Sequence, residues 1–414
     1  MTDAPRVVVV GAGFAGLSAA VALVDAGCRV TVFERAPRGG GRASVFVDRD
    51  SGERIDNGQH VLFGCYRDTY AFLRRIGTAD RAPLQPRLSL AMAAADGTLH
   101  TLTCPAITPP WHLIAGVMRW SALSAGDRLS ALRMGGVIGR ARRHGAAAVA
   151  RAVPDSLTVS QWLDRLRQSR GLREWLWDPL TFAALNQSPE TAAAAPFARV
   201  VGELFGPRPE DAAVGLATVP LDALYVTPAI AAIERAGGAV HLKTEARIVI
   251  DEDGRVSGVR TTDGVMAADA IVSAVPWFAF GDLWTEGPPA VIAAVAERAA
   301  SMASSPIVTV NLWLDGPVLP RPFVGFVHGP MQWAFDRQAL VGSPSHHLSI
   351  VASGAVELAR ESNEVVAARA VAQLSTALPA MRARKVLRSV VVREHRATFS
   401  LAPGGPPRPG PAIT

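Results

Sequence analysis

Arg6-Val-Val-Val-Val10-Gly11-Ala-Gly13-Phe14-Ala15-Gly16 opens this chain, and its reading decides the fold. Four consecutive valines are β-branched and apolar, as a strand buried on both faces of a parallel sheet must be. Phe14 to Asp25 is rich in alanine and leucine and meets a stop at Gly27, which predicts a helix. In such a strand–turn–helix, Gly11 permits the tight turn. Gly13 lets the backbone approach a pyrophosphate, and Gly16 lets helix and strand pack closely. The helix N-terminus then points its free N–H groups at the phosphates. Arg29 to Glu34 reads as a second strand, and Glu34 ends it where a carboxylate can accept hydrogen bonds from a ribose. A lone glycine turn would be weak evidence; strand, helix and acid together point to a dinucleotide.

The next glycines choose the cofactor. Glu34 is followed by Arg35-Ala-Pro-Arg-Gly39-Gly40-Gly41-Arg42. A second glycine-rich loop lets the backbone approach the diphosphate again, with Arg42 as counter-charge. A plain nicotinamide dehydrogenase has no need of it. The extended pattern resembles the FAD-binding signature of the amine oxidase and phytoene desaturase superfamily. The resemblance implies FAD and an α/β fold: a Rossmann-like, glutathione-reductase-like FAD-binding domain with a second α+β substrate domain inserted. The expected division gives 1–66, 215–275 and 390–414 to the FAD domain, and 67–214 and 276–389 to the substrate domain.

The resemblance extends along essentially the whole chain. It places Asp56-Asn57-Gly58-Gln59-His60 beside the flavin ring. It places Glu245 to Ile248, Ala246 among them, where a strand's backbone reads the adenine edge, and Ile271 to Pro276 as the strand that follows. Within the superfamily the chain is similar to the hydroxysqualene dehydroxylases, squalene-associated flavoproteins of hopanoid biosynthesis. The residues that carry this are Asp56 to His60 with Tyr66-Arg67, Leu176-Trp-Asp-Pro-Leu180 continuing to Ala184-Leu-Asn186, and Arg396-Ala-Thr-Phe399. One departure stands out. The superfamily closes its FAD site with a C-terminal Gly-Asp pair and a helix aimed at the ring, and Thr414 falls where that segment is expected to begin. The expectation is either that the sequence is truncated there or that the flavin is held by fewer contacts, without one carboxylate and one helix dipole, and so more weakly.

The resemblance implies reductive removal of an allylic hydroxyl from hydroxysqualene, with hydride passing from reduced flavin N5 to a delocalised cation. That chemistry needs a proton donor for the leaving oxygen and a dry apolar tunnel. His60 and Asp56 are the candidate donors. Trp175, Trp177, Phe182, Trp277, Phe278, Phe323, Phe326 and Trp333 are the apolar candidates for the tunnel, each of which ordinary core packing also explains. The same site fits a carotenoid- or phytoene-type desaturase, which would oxidise a polyene. A flavin amine oxidase would want a lysine-bonded water in an aromatic cage, and the only lysines, Lys243 and Lys385, are poorly placed for it. An inactive binding protein is the remaining reading.

Composition agrees. With 414 residues, 49% hydrophobic and 19% charged, the chain is globular and long enough for two domains. Net charge is +6, carried almost wholly by arginine, with no basic stripe interleaved by aromatics, so nucleic acid is not an expected partner. Cys28, Cys65 and Cys104 lie too far apart for a disulfide framework or a metal site. Val7 to Gly27 is apolar enough to suggest a membrane span, but reads better as strand, turn and helix. No basic n-region precedes it. The expected location is cytoplasmic, with peripheral contact on the inner face of the membrane. That contact is assigned to 111–144, which carries Trp111, Leu113, Ile114, Met118 and Trp120 with six arginines and a single acid, Asp127. A solvated helix over the substrate domain explains the same stretch.

Overall fold

The computed structural model describes residues 4–406. Strand β1 (Arg6–Val10), helix α1 (Phe14–Asp25) and strand β2 (Arg29–Phe33) form the opening unit. A hairpin follows, β3 (Val45–Val47) and β4 (Arg54–Asp56), then β5 (Val61–Phe63) and helix α2 (Arg67–Arg75). Next come β6 (Ser89–Ala93), β7 (Leu99–Thr103) and helix α3 (Trp111–Arg119), which leads into a run of short helices as far as Leu204. Strands β8 (Val214–Leu216), β9 (Ala239–His241), β10 (Arg247–Ile250), β11 (Val256–Thr261), β12 (Gly264–Ala267) and β13 (Ala270–Ser273) complete the first half. The second half supplies β14 (Ser304–Leu314), β15 (Phe323–Phe326), β16 (Trp333–Asp336), β17 (His346–Ser353) and β18 (Val386–Phe399).

β1 lies between β13 and β2 in a four-stranded parallel sheet of order β13-β1-β2-β9. Its four valines are each no more than 6% exposed, which is why an unbroken apolar run was needed there. β10, β11 and β12 form a small antiparallel sheet beside it. The second domain is built on a seven-stranded sheet of order β18-β14-β17-β16-β15-β6-β7. On one face, Val308, Val310 and Leu312 of β14 bury against the helix Asn363–Ala377 through Val366, Ala370 and Leu374. The other face turns toward the hairpin β3–β4 and the loop after it.

Two expected boundaries fall inside strands. Position 390 lies within β18, which pairs with β14 from Leu314↔Val386 to Ser304↔Phe399. Residues 390–399 therefore belong to the large sheet by hydrogen bonding rather than to the dinucleotide domain. Position 215 lies within β8, which pairs with β5 and so ties both ends of the insertion together. Residues 407–414 of the expected domain are outside those described. No helix among the described residues is long and apolar enough to cross a membrane.

Candidate dinucleotide site and apolar cavity

The glycine turn makes a cradle of bare backbone. Gly11 sits at φ +108°, and a Cβ there would meet Ala274 O at 2.9 Å. Gly13 bridges in parallel to Gly40, which brings the two glycine loops side by side. A Cβ on Gly41 would lie 3.4 Å from Gly13 Cα. No side chain caps α1 and no acid stands in its first turn, so its leading N–H groups and dipole are free for an anion. Ala15 is exposed on that turn, whereas the Phe14 ring points inward against Phe72 and Tyr225, so only its backbone can face a ligand. Gly16 is buried and serves packing rather than contact.

Glu34 stands at the end of β2 and accepts the Ala12 and Ala36 N–H groups, each at 2.9 Å. This holds the carboxylate beside the turn with lone pairs to spare for ribose hydroxyls. Arg35 next to it is exposed. Tyr225, far along the chain, donates its hydroxyl to Gly40 O and Ala43 O and pins the second loop. Ala246 is buried with Val8, Val10 and Phe33 just before β10. The Arg42 guanidinium lies 5.1 Å from the Trp277 ring centre and donates to Ala397 O. These features fit a dinucleotide: uncapped amides, two loops without side chains, and a placed acid.

The segment after β4 floors the site. Asn57 donates its amide to Arg42 O, and its Oδ1 is buried without a partner, an orphan acceptor facing the cradle loops' neighbourhood. Gln59 receives Arg337. His60 Nδ1 lies 2.9 Å from Gly58 O, so that nitrogen carries the proton and Nε2 is left as an acceptor. Burial holds the imidazole pKa below its ordinary value, against smaller opposing effects of Gly58 O and Asp56. With Nδ1 given to Gly58 O, His60 does not present a proton to the cavity in this arrangement. Asp56 does not either: it is 5% exposed, is ion-paired to the 2%-exposed Arg337, accepts the Leu221 N–H, and does not line the cavity. Its role is to position the loop.

Beyond this floor opens a cavity of about 400 Å³. Its near wall is Arg42, Asn57, Gly58, Gln59 and His60. Its far walls are apolar, with Trp120, Trp175, Trp177, Phe323, Trp333 and Phe335 among them. The helix Asp178–Leu185 follows a π-helical turn, Arg173–Trp177; this widened stretch precedes Pro179, which has no N–H to give. Of the apolar candidates, Trp175, Trp177, Phe323 and Trp333 line the cavity. Phe182, Trp277, Phe278 and Phe326 do not. Ile307, Val351 and Glu394 line the cavity without having been singled out from the sequence, and Trp120, expected in the membrane-contact stretch, is instead buried at the cavity wall. Alternation along β14 and β17 was the available signal for Ile307 and Val351.

The face of the large sheet beneath the hairpin carries a buried charged group. Glu53 accepts Trp313 Nε1 at 2.9 Å and the hydroxyls of Ser343 and Ser345, and lies 3.5 Å from His347 Nδ1. Burial alone would raise the Glu53 pKa, but the Ser343, Trp313 and Ser345 donors carry it below the usual range. Burial, reinforced by Arg337, pushes the His347 imidazole down to about 4. The folded protein thus keeps His347 neutral where the unfolded chain protonates it near 6.5. Protons favour the unfolded state across that window, so stability should fall as pH drops from 6.5 toward 4, by up to about 3 kcal/mol. Urea melts at stepped pH measure this. His347→Phe should flatten the slope, and an unchanged slope would rule His347 out as its source.

The family model described as flavin containing amine oxidoreductase matches residues 14–409. Over 344 residues the chain is 27% identical to the hydroxysqualene dehydroxylase of Sinorhizobium fredii, covering 79% of this chain and 72% of that one. Over 271 residues it is 29% identical to a probable zeta-carotene desaturase of Synechococcus elongatus, covering 64% of this chain but only 55% of that protein. The crystal structure of an oxidoreductase from Methanosarcina mazei superposes with a TM-score of 0.72 at 18% identity, over 99% of this chain and 92% of that one, and shares the fold.

Proposed function

The chain belongs to the flavin containing amine oxidoreductase family, with FAD as cofactor, and we propose that it is a reductive dehydroxylase of a long isoprenoid alcohol of the hydroxysqualene type. The observation that carries this reading is the cavity: an aromatic and aliphatic chamber that reaches the Asn57–His60 floor. Neither lysine lines it, which leaves the lysine-bonded water of an amine oxidase without a residue. Gly11, Gly13 and the α1 N-terminus, with Gly40, Gly41 and Arg42, would hold the diphosphate, Glu34 the ribose, Ala246 the adenine edge, and Asn57 to Gln59 the ring side. FAD, when bound and reduced, supplies a hydride.

The overall balance is an alcohol plus a proton plus a hydride giving the hydrocarbon plus water. The C–O electron pair leaves with oxygen. His60 Nε2 accepts the substrate hydroxyl and orients it. Tyr66 lines the cavity, and its phenol O–H gives the proton to the departing oxygen, which leaves as water; solvent reaching this partly exposed side chain then reprotonates the phenolate. The faces of Trp120, Trp175 and Trp177 stabilise the allylic cation electrostatically. The same walls exclude the water that would recapture it.

The test is anaerobic incubation of the FAD-loaded protein, chemically reduced, with hydroxysqualene. Squalene is the expected product. His60→Ala should lower kcat by about tenfold to a hundredfold, a typical effect of losing one orienting contact. No squalene, together with desaturation of a carotene by the oxidised protein, would replace this reading with that of a desaturase, which the likeness to the zeta-carotene enzyme also supports.

A further inference from the structure

Helix α3 separates two cavities. Leu113 and Val117 on its inner side line the apolar chamber. On its other side, between its last turn and the edge strand β7, lies a second cavity of about 320 Å³. Arg87, Arg119, Thr101, Thr103 and Trp120 line it, and no Asp or Glu does. Thr101 and Thr103 stand two apart on an edge strand, so their hydroxyls share one face while Leu102 between them is buried. Arg87 and Arg119 have no ion-pair or hydrogen-bond partner among the described residues. Trp120 is 2% exposed, and its indole N–H also lacks an acceptor.

The depth of the cavity is set by Gly116. A Cβ at 116 would stand 2.7 Å from Cys104 Sγ, so α3 lies this close to the sheet edge only because that residue is glycine. Arg87, Arg119, Thr101 and Thr103 are exposed side chains around this pocket, and the buried Trp120, whose indole N–H has no acceptor, forms part of its wall. Two like charges lining one concavity with no acid among them favour an anion between them.

We propose that this second cavity binds a phosphate-type oxyanion. Paired guanidinium forks and hydroxyl donors suit the several oxygens of a phosphate or diphosphate better than a single carboxylate. The pocket exceeds a bare phosphate in volume, which leaves room for a phosphorylated headgroup. On the outside of α3, Trp111 is 60% and Met118 37% exposed, with Ile107 at 45% just before the helix. A phospholipid headgroup and a soluble diphosphate present the same chemistry to these donors.

The experiment uses the full-length flavin-loaded protein and inorganic diphosphate, followed by tryptophan fluorescence and thermal shift. Saturable binding is expected. Arg87→Gln with Arg119→Gln should weaken it by about tenfold or more, as loss of two charge-assisted contacts requires. Flavin content should not change. The control removes the same charge elsewhere, Arg140→Gln with Arg151→Gln, and should leave binding intact. No saturable binding, or equal affinity in both double variants, would overturn the site. Vesicles then assign its source. Protein bound to phosphatidylglycerol but not phosphatidylcholine, and released by diphosphate, identifies a lipid headgroup. Vesicle binding indifferent to diphosphate identifies a soluble phosphate.

Discussion

Gly16→Ala should purify without flavin and unfold about 3 kcal/mol more easily than the parent, at the top of the usual range for overpacking because backbone is what it strikes. A Cβ at this position would lie 1.9 Å from Gly11 O, 3.0 Å from Gly11 C and 3.1 Å from the Ala274 Cβ. None of these is the end of a flexible side chain. The helix must lift away from the turn and from the loop after β13. Lifting it moves the α1 N-terminus that would meet the diphosphate, so stability and cofactor retention fall together. Gly27→Ala is the matched control. Gly27 has φ +84° and nothing within 4 Å of an added Cβ, so its cost should be only the left-handed backbone penalty of about 1 kcal/mol. Flavin absorbance per chain and a thermal melt measure both. A yellow Gly16→Ala protein with parental stability would refute the packing argument.

Arg337→Met should cost about 3–5 kcal/mol, because it strands a buried carboxylate. Arg337 reaches Asp56, Gln59 Oε1 at 3.3 Å and Arg54 O at 3.3 Å from the far side of the fold. Without it, Asp56 keeps, among the described residues, the Leu221 N–H. The Asn57–His60 floor is anchored through Asp56 and Gln59, so flavin retention should drop as well. Asp56→Asn in the Arg337→Met background should recover part of the loss, since the neutral amide no longer needs a cation there. Urea melts of the two single variants and the double variant give the coupling. A loss below about 1 kcal/mol in Arg337→Met would show that the pair is not what holds the floor.

The cradle was legible because it is local. Gly11, Gly13, Gly16, Glu34 and Gly39 to Gly41 lie within about thirty residues; the glycines answer to backbone conformation or close approach, and Glu34 to the need for an acceptor at the end of β2. The hairpin β10–β11 is local in the same way: the turn Glu252-Asp253-Gly254 joins two apolar runs. β18 was not legible as one strand. Its inner positions carry Arg388 and Arg393, which are paired to Asp48 and Asn363, so its polarity hid its length. His60 and Asp56 were found as residues but not as states. A neutral imidazole and a buried ion pair follow from neighbours that the sequence around them does not contain.

From the amino-acid order alone follow the dinucleotide turn, the acid that ends the second strand, the glycines of the second loop and the α/β class. These depend on steric rules that act between neighbours in the chain. Only the tertiary structure decided that Arg337 meets Asp56 across 281 positions, that β18 belongs wholly to the large sheet, and that α3 stands between an apolar chamber and a cationic one. The physical reason is that burial, pairing and cavity walls are set by segments distant in sequence, and the energy of a charged or apolar side chain depends on which of them it faces.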